Sequence, residues 1–330
     1  MKKRMLKMKP IYIGLVTAIA SFNTVAKPVD WTPGISGDIS LLAAYTKTNS
    51  QFDSDNATTS NLNSSGDEQG HTLIAPLGTL SYTLSNAKQQ LFFGTDRSDV
   101  ALGRFHAELG LRQKLEENGT VSLSYIPGLL ELKTWQNPYL TGEPRVKTGS
   151  NVKAIRAQWE NIADSMFSLD TAYGRYEVDQ EKSGEGFAID KALLDRNAKL
   201  FFVEGSYLLP LSRTQMIRTA LNYSGIDADG KAMSADIFGG SATFIQIFQR
   251  SSLAFTLSYK KALFDAENPI FDKKQEDDRL GAFLAYEYKQ PFGWKNWGVV
   301  SLVGYNTTQS NINFYDEDTM LVSLGMNYSF

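Results

Sequence analysis

The chain has 330 residues, no cysteine and a formal charge of −3. Without cysteine it can form neither a disulfide framework nor a thiolate metal site, and without a basic surplus it lacks the cationic surface that non-specific nucleic-acid binding needs. Its 19 Phe, 15 Tyr and 26 Gly suit strands, interfacial aromatic belts and tight turns instead.

The first ten residues, MKKRMLKMKP, carry Lys2, Lys3, Arg4, Lys7 and Lys9 ahead of any acidic residue. An apolar stretch over 11–22 follows, then Thr24-Val25-Ala26, a small-x-small site. This order predicts a secretory signal peptide over 1–26, cut after Ala26. The apolar stretch is short for a helix that must cross about 30 Å of hydrocarbon, which argues against an uncleaved anchor. Cleavage would remove five of the 33 basic residues and none of the 36 acidic ones, leaving a charge of −8 on residues 27–330.

From residue 27 onward period-two alternation recurs and helical periodicity is nearly absent. It predicts strands over 35–46, 74–84, 89–97, 103–115 and, after the Asn118-Gly119 turn, from Val121 through Leu123 to Tyr125. Further strands are expected over 152–160, 166–177, 198–209, 214–223, 237–248, 253–259, 280–289, 297–305 and 320–330. The count is fourteen. Twelve is the main competitor, because the second, third and thirteenth strands alternate poorly. Short links alternate with long ones such as 47–70, 126–150 and 178–197. The exception is 98–102, a short link where a long loop is due. On the face taken as lipid-facing, Tyr45, Phe105, Tyr125, Tyr173, Phe201, Tyr223, Tyr259 and Tyr305 fall toward one rim. Tyr82, Trp159, Tyr207, Tyr286, Tyr288, Trp297, Tyr328 and Phe330 fall toward the other. Two belts, short turns on one rim and long loops on the other predict an all-β fold, a closed antiparallel transmembrane β-barrel with periplasmic turns and extracellular loops. Closure is a physical requirement, since an open sheet edge in lipid leaves backbone groups unpaired. The expected location is the outer membrane of a Gram-negative bacterium.

Met320, Val322, Leu324, Met326, Tyr328 and Phe330 share one face of the last strand, MLVSLGMNYSF. It resembles the C-terminal signature of bacterial outer-membrane proteins, and the resemblance implies that Tyr328 and Phe330 are read by the barrel-assembly machinery. WTPGISGDISL, LGTLSYTLSN followed by QQLFFGTDRSD, and NPYLTG resemble an uncharacterised family of vibrio-type, porin-like outer-membrane proteins. That resemblance implies fold and location and transfers no functional residue.

The inward faces hold the candidate functional groups. Arg104, His106, Glu108 and Arg112 share one strand face; Arg156, Gln158, Glu160, Asp170, Glu204, Arg218, Gln246, Glu287 and Lys289 follow on later strands. Charged lumen residues can concentrate counter-ions and orient polar solutes, or equally form an internal ion-pair network. Phe202, Phe244, Phe248 and Phe283 are expected either to narrow the pore or to line a greasy slide for an apolar or sugar substrate. Catalysis is not expected: only His71 and His106 could serve as histidine bases, and no spacing motif joins His106 to Ser98-Asp99. Two histidines make a dedicated transition-metal site improbable, and no cofactor is implied. The acidic loop clusters, such as Glu276-Asp277-Asp278, match no calcium-loop spacing. The expected function is a channel for passive diffusion of small hydrophilic solutes, with a non-conducting receptor or envelope protein as the alternative. The expected partners are outer-membrane lipid, lipopolysaccharide phosphates (met by Lys147, Lys182, Lys273 and Lys274) and the assembly machinery. A monomer is favoured.

Overall fold

A computed structural model describes residues 31–128 and 132–330; the expected signal peptide lies outside the described residues. Trp31–Phe330 form one compact unit. Its strands are β1 (Gly34–Thr48), β2 (Gln69–Thr83), β3 (Gln89–Gly94), β4 (Glu108–Lys114), β5 (Thr120–Ile126), β6 (Leu132–Trp135), β7 (Lys147–Glu160) and β8 (Phe167–Val178). They continue with β9 (Ala198–Pro210), β10 (Gln215–Ala228), β11 (Ala235–Ile247), β12 (Ser251–Asn268), β13 (Lys273–Lys289), β14 (Trp297–Ser310) and β15 (Glu317–Ser329). β15 returns to β1 in antiparallel register from Asp38↔Ser329 to Thr48↔Thr319, so the sheet closes on itself. β6 adds no stave. β5 pairs with β7 from Thr120↔Glu160 to Ile126↔Ala154, and β6 continues along the same edge from Leu132↔Ser150. The barrel therefore has fourteen staves, the number that the alternation predicts.

The burial pattern is inverted relative to a protein folded in water. Leu221 is 76% exposed and Ile35 71%, while Glu108 and Glu204 are 1% exposed. Apolar side chains outside and charges inside are what hydrocarbon surroundings demand. The outer rim is marked by three tyrosines, each donating to an aspartate one strand on: Tyr223 to Asp236 (2.6 Å), Tyr259 to Asp278 (2.5 Å) and Tyr305 to Asp318 (2.8 Å). At the inner rim Trp297, Tyr328 and Phe330 form a ring-to-ring series. There Phe330 and Gly37 exchange backbone hydrogen bonds of 3.0 Å in both directions, which extends the closing seam to the last residue. Among the described residues no helix is long and apolar enough to span a membrane.

The wall departs from expectation at β3 and β4, which are only six and seven residues long. The predicted strands to residue 97 and from residue 103 are both too long. Gly94 takes φ +130°, a backbone state that disfavours other residues, just where the chain leaves the wall. A short helix α1 (Arg97–Ala101) follows, with the Asp96 carboxylate accepting the Ser98 N–H at 2.8 Å as its N-cap. Residues 95–107 thus form a segment folded into the barrel, in place of the short link over 98–102 that the alternation predicts. Its Arg97 meets Glu287 of β13 at 2.5 Å. Phe105, expected at the lipid-facing outer rim, instead lies 6.0 Å centroid to centroid from the inward ring of Phe283. That is a correction: the period-two pattern ran on through a segment that is not a strand.

Candidate functional site

The inward faces follow from strand parity. On β4 it is Glu108 and Arg112; on β7 Arg156, Gln158 and Glu160; on β8 Asp170; on β9 Glu204; on β10 Arg218; on β13 Glu287 and Lys289. Arg104 and His106 also reach the lumen, from the inward segment rather than a strand. Gln246 does not. It shares the outward face of β11 with Phe238 and Phe244 and bonds Gln215 of the neighbouring strand at 2.8 Å. Phe244 and Phe248 are likewise exposed on the outside and do not narrow the path. Gln246 lies near the inner rim, beyond the apolar band, where an outward amide costs little.

The arrangement centres on Arg156. Its guanidinium grips Asp99 of α1 through two nitrogens (2.6 and 3.1 Å) and Asp170 of β8 through two (3.0 and 2.6 Å). It also reaches Glu108 at 3.4 Å and the His106 Nε2 at 3.1 Å. Glu108 accepts from Ser124 at 2.5 Å. Arg104 bonds Glu204 and approaches Asp170 at 3.5 Å, and Arg218 reaches the other Glu204 oxygen at 2.7 Å. Arg112 pairs with Asp96 and bonds Gln90 at 3.1 Å, its guanidinium 3.9 Å from the centre of the Phe92 ring. Bidentate arginine–carboxylate geometry is the strongest way to hold such charges out of bulk water. The network ties the inward segment, through Asp96, Asp99, Arg104 and His106, to the wall from β4 to β10.

Of the remaining sequence candidates, Gln158 accepts from Ser122 at 3.3 Å, Glu160 sits exposed at the inner end of β7, and Glu287 is the anchor of Arg97. Lys289 lines the lower cavity. Ser98 turns its hydroxyl onto Asp96 at 2.7 Å, not onto His106, so the geometry makes no nucleophile–base pair from them. Carboxylate and imidazole atoms of Asp99, His106 and Glu108 lie within 4.8 Å of one another, but the Arg156 guanidinium already stands among them as the cation. His71 is held on both ring nitrogens, by Asp53 at 2.9 Å and Asp55 at 3.5 Å.

The inward segment divides the lumen. An upper cavity of about 330 Å³ is lined by Arg104, Phe202, Glu204, Asn222, Lys260 and Arg279, among others. A lower one of about 320 Å³ lies against Asp38, Ser40, Arg97, Ser98, Glu287 and Asn327. Between them Phe283 fills the space: a Cβ added at Gly103 or Gly304 would lie 3.1 or 3.0 Å from its ring.

Above the upper cavity the outer loops converge. Tyr139, Leu194, Ala232, Ile312 and Phe314 form one buried cluster, flanked by Phe52, Leu62, Phe187, Ile189 and Phe271. These residues come from six of the seven outer loops, which leave the rim all around it, so an apolar core shared among them must bridge the mouth. The hydroxyls of Tyr139 and Tyr315 meet at 2.8 Å, and Asn268 donates to Tyr315 at 2.8 Å. Burial pushes both phenols above their ordinary value, Tyr315 well above it. Arg145 is fixed by the carbonyls of Gln51 and Pro138 (3.0 Å each) and of Asn56, and burial brings it down to about 10. Strand alternation encodes nothing of this cap, although loops such as 47–70 and 126–150 are long enough to fold inward. Its signal was present as aromatic residues in loops that need none if they merely meet water.

The profile of one protein family, described as "Protein of unknown function (DUF2860)", matches residues 34–329. No curated protein sequence matches the chain. The structure is similar to that of OmpT, an outer membrane protein of Vibrio cholerae, with 11% identity, 89% of this chain and 98% of that chain covered, and a TM-score of 0.41. It is also similar to a Pseudomonas aeruginosa FadL homologue (11% identity, 89% of each chain, TM-score 0.43). A third similar structure is the CymD monoaromatic hydrocarbon channel (8% identity, 91% of this chain and 89% of that chain, TM-score 0.43). At these values nothing passes from them to the chemistry of this lumen.

Proposed function

The chain belongs to the DUF2860 family of proteins of unknown function, and from the architecture of its lumen we propose that it is an outer-membrane channel for passive diffusion of small hydrophilic solutes. One observation carries the reading: two cavities, each lined by charged and polar groups set among apolar ones, lie end to end inside a barrel with an apolar outer face, separated by the inward segment and Phe283. A barrel meant only as an anchor could fill its interior with apolar side chains. Fourteen staves enclose more space than side chains fill in the smallest barrels, and the polar groups lining it are cheapest to satisfy with water.

The rest of the reading follows from location. The signal peptide delivers the chain across the inner membrane. Tyr328 and Phe330 present the terminal aromatic strand to the assembly machinery. Lys182 and Lys274 meet lipopolysaccharide phosphates, whereas Lys147 is turned onto Asp55 at 3.1 Å. The test is solute entry into liposomes carrying the refolded protein, alongside recovery of heat-modifiable protein in the outer-membrane fraction. Glucose-sized solutes should enter and large dextrans should not. Liposomes as tight as protein-free ones, both with the cap intact and with it loosened, would reject the channel.

The second reading, a surface receptor without conduction, is favoured by the cap alone, since six loops sharing one apolar core make a firm outer surface. It predicts tight liposomes even after the cap is loosened.

A further inference from the structure

The upper cavity has the makings of a ligand site. Its carboxylate Glu204 is occupied by two arginines, Arg104 and Arg218. Arg279 is held by Asp277 at 2.9 Å. Lys260, on the inward face of β12, has no ion-pair partner among the described residues and is exposed because it opens onto the cavity. The wall there is thus cationic by at least one charge.

Glycines on the two flanking strands keep the space open. A Cβ added at Gly239 of β11 would lie 2.5 Å from Asn222 Oδ1 and 2.9 Å from Lys260 Cγ; one at Gly281 of β13 would lie 2.6 Å from both Asn306 Oδ1 and Ser258 Oγ. Any larger residue at either place would push these polar groups aside. Polar capacity is also unmet, since Asn222 Oδ1 and Arg279 Nε are buried without a partner. Such atoms cost free energy until something answers them, and a small side-chain rotation would turn the Asn222 amide to a guest. Phe202 and Phe283 add two apolar ring surfaces to the lining.

We propose that this cavity binds a small hydroxylated carboxylate of sugar-acid size, its carboxylate on Lys260 and its hydroxyls on Asn222, Asn306 and Ser258. The proposal deepens the channel reading, and rests on it for the route by which the solute arrives. Volume sets the size: about 330 Å³ is at the small end of ligand pockets. The mixture of lining groups sets the class. A bare inorganic anion needs donors alone, whereas amides and hydroxyls that both donate and accept, set beside aromatic rings, suit a hydroxylated carbon skeleton.

The probe is glucuronate, compared with glucose and inorganic phosphate, on the full chain refolded into planar bilayers and, separately, by calorimetry in detergent. Glucuronate should reduce the ion current saturably, and glucose should not do so in the same range. Lys260→Gln should weaken the apparent affinity about tenfold or more, the loss expected of a charge-assisted hydrogen bond. Gly281→Val should weaken it comparably by filling the space with no change of charge. Heat-modifiable migration checks that each variant folds, and if Gly281→Val does not, Lys260→Gln decides. Phosphate acting as strongly as glucuronate would overturn the proposal in favour of a simple anion site. Currents with no glucuronate effect on current or heat overturn it while leaving the channel standing. Saturable, Lys260-dependent heat without any current supports the site and removes the channel.

Discussion

Replacing Arg156 with methionine keeps most of the bulk of the side chain and removes the charge on which the lumen network turns. Four hydrogen bonds of 2.6–3.1 Å to Asp99 and Asp170 are lost at once, and Glu108 loses a cation at 3.4 Å. Asp99 and Glu108 are nearly fully buried and are left without an arginine, while Asp170 keeps Arg104 at 3.5 Å. Removing one partner of a buried pair costs about 3–5 kcal/mol, chiefly because the orphaned charge stays behind. Cavity water can hydrate part of this cluster, so the low end, about 3 kcal/mol, is expected. A second effect is specific to this architecture. Asp99 lies on α1, so the substitution frees α1 from β7 and loosens the inward segment, which Arg112–Asp96, Arg104–Glu204, Arg104–Asp170, Arg97–Glu287 and the Phe283 contacts still hold. Urea unfolding in lipid vesicles, followed by tryptophan fluorescence, reads the first effect; single-channel conductance, which should rise, reads the second. Asp99→Asn combined with Arg156→Met should cost less than the sum of the two single changes, because each removes the same pair. A loss below about 1 kcal/mol with unchanged conductance would refute the reasoning, since it would mean the network is solvated and holds nothing in place.

Two further outcomes are expected. The cap should loosen in alkali: Tyr139 and Tyr315 have folded-state values raised by burial, so the stability they contribute is full below the unfolded phenol value of about 10 and is lost as pH rises through the folded values. Protease nicking of the outer loops should therefore increase above about pH 10 in the wild type and less steeply in Tyr315→Phe, whereas equal slopes would remove the phenols from the account. Phe330→Ser should slow insertion into vesicles that carry the barrel-assembly machinery while leaving the folded barrel able to form, because the ring is lost and the paired Gly37 backbone bonds remain; insertion at the wild-type rate there would leave Phe330 without its assembly role.

Much of the wall is legible in the sequence because period two is a direct consequence of the pleat. Arg156, Asp170, Glu204 and Arg218 could be assigned inward from their neighbours alone. Parity failed on β11, where Ile237, Ser241 and Ile245 face in and Phe238, Ala242 and Gln246 face out, so neither face is clearly the apolar one. The inward segment was hidden by chance continuation: Arg104 and His106 keep the phase of Glu108 although no strand is there. Its local signal was the Asp96-Arg97-Ser98-Asp99 run, a helix start with an N-cap. The residues that line the upper cavity with Lys260, and the cap residues, come together from strands and loops far apart in the chain. No local pattern encodes that convergence, which exists only once the barrel has closed.

If residues 95–107 separate two halves of one conduction path, removing them should join the two cavities. Replacing 96–103 with a short Gly-Ser link and recording single channels in planar bilayers tests it most directly. The wild type should give small discrete steps and the variant severalfold larger, ohmic ones, with both proteins showing heat-modifiable migration. Folded variant protein that conducts no better than the wild type, or silence from both, would contradict it.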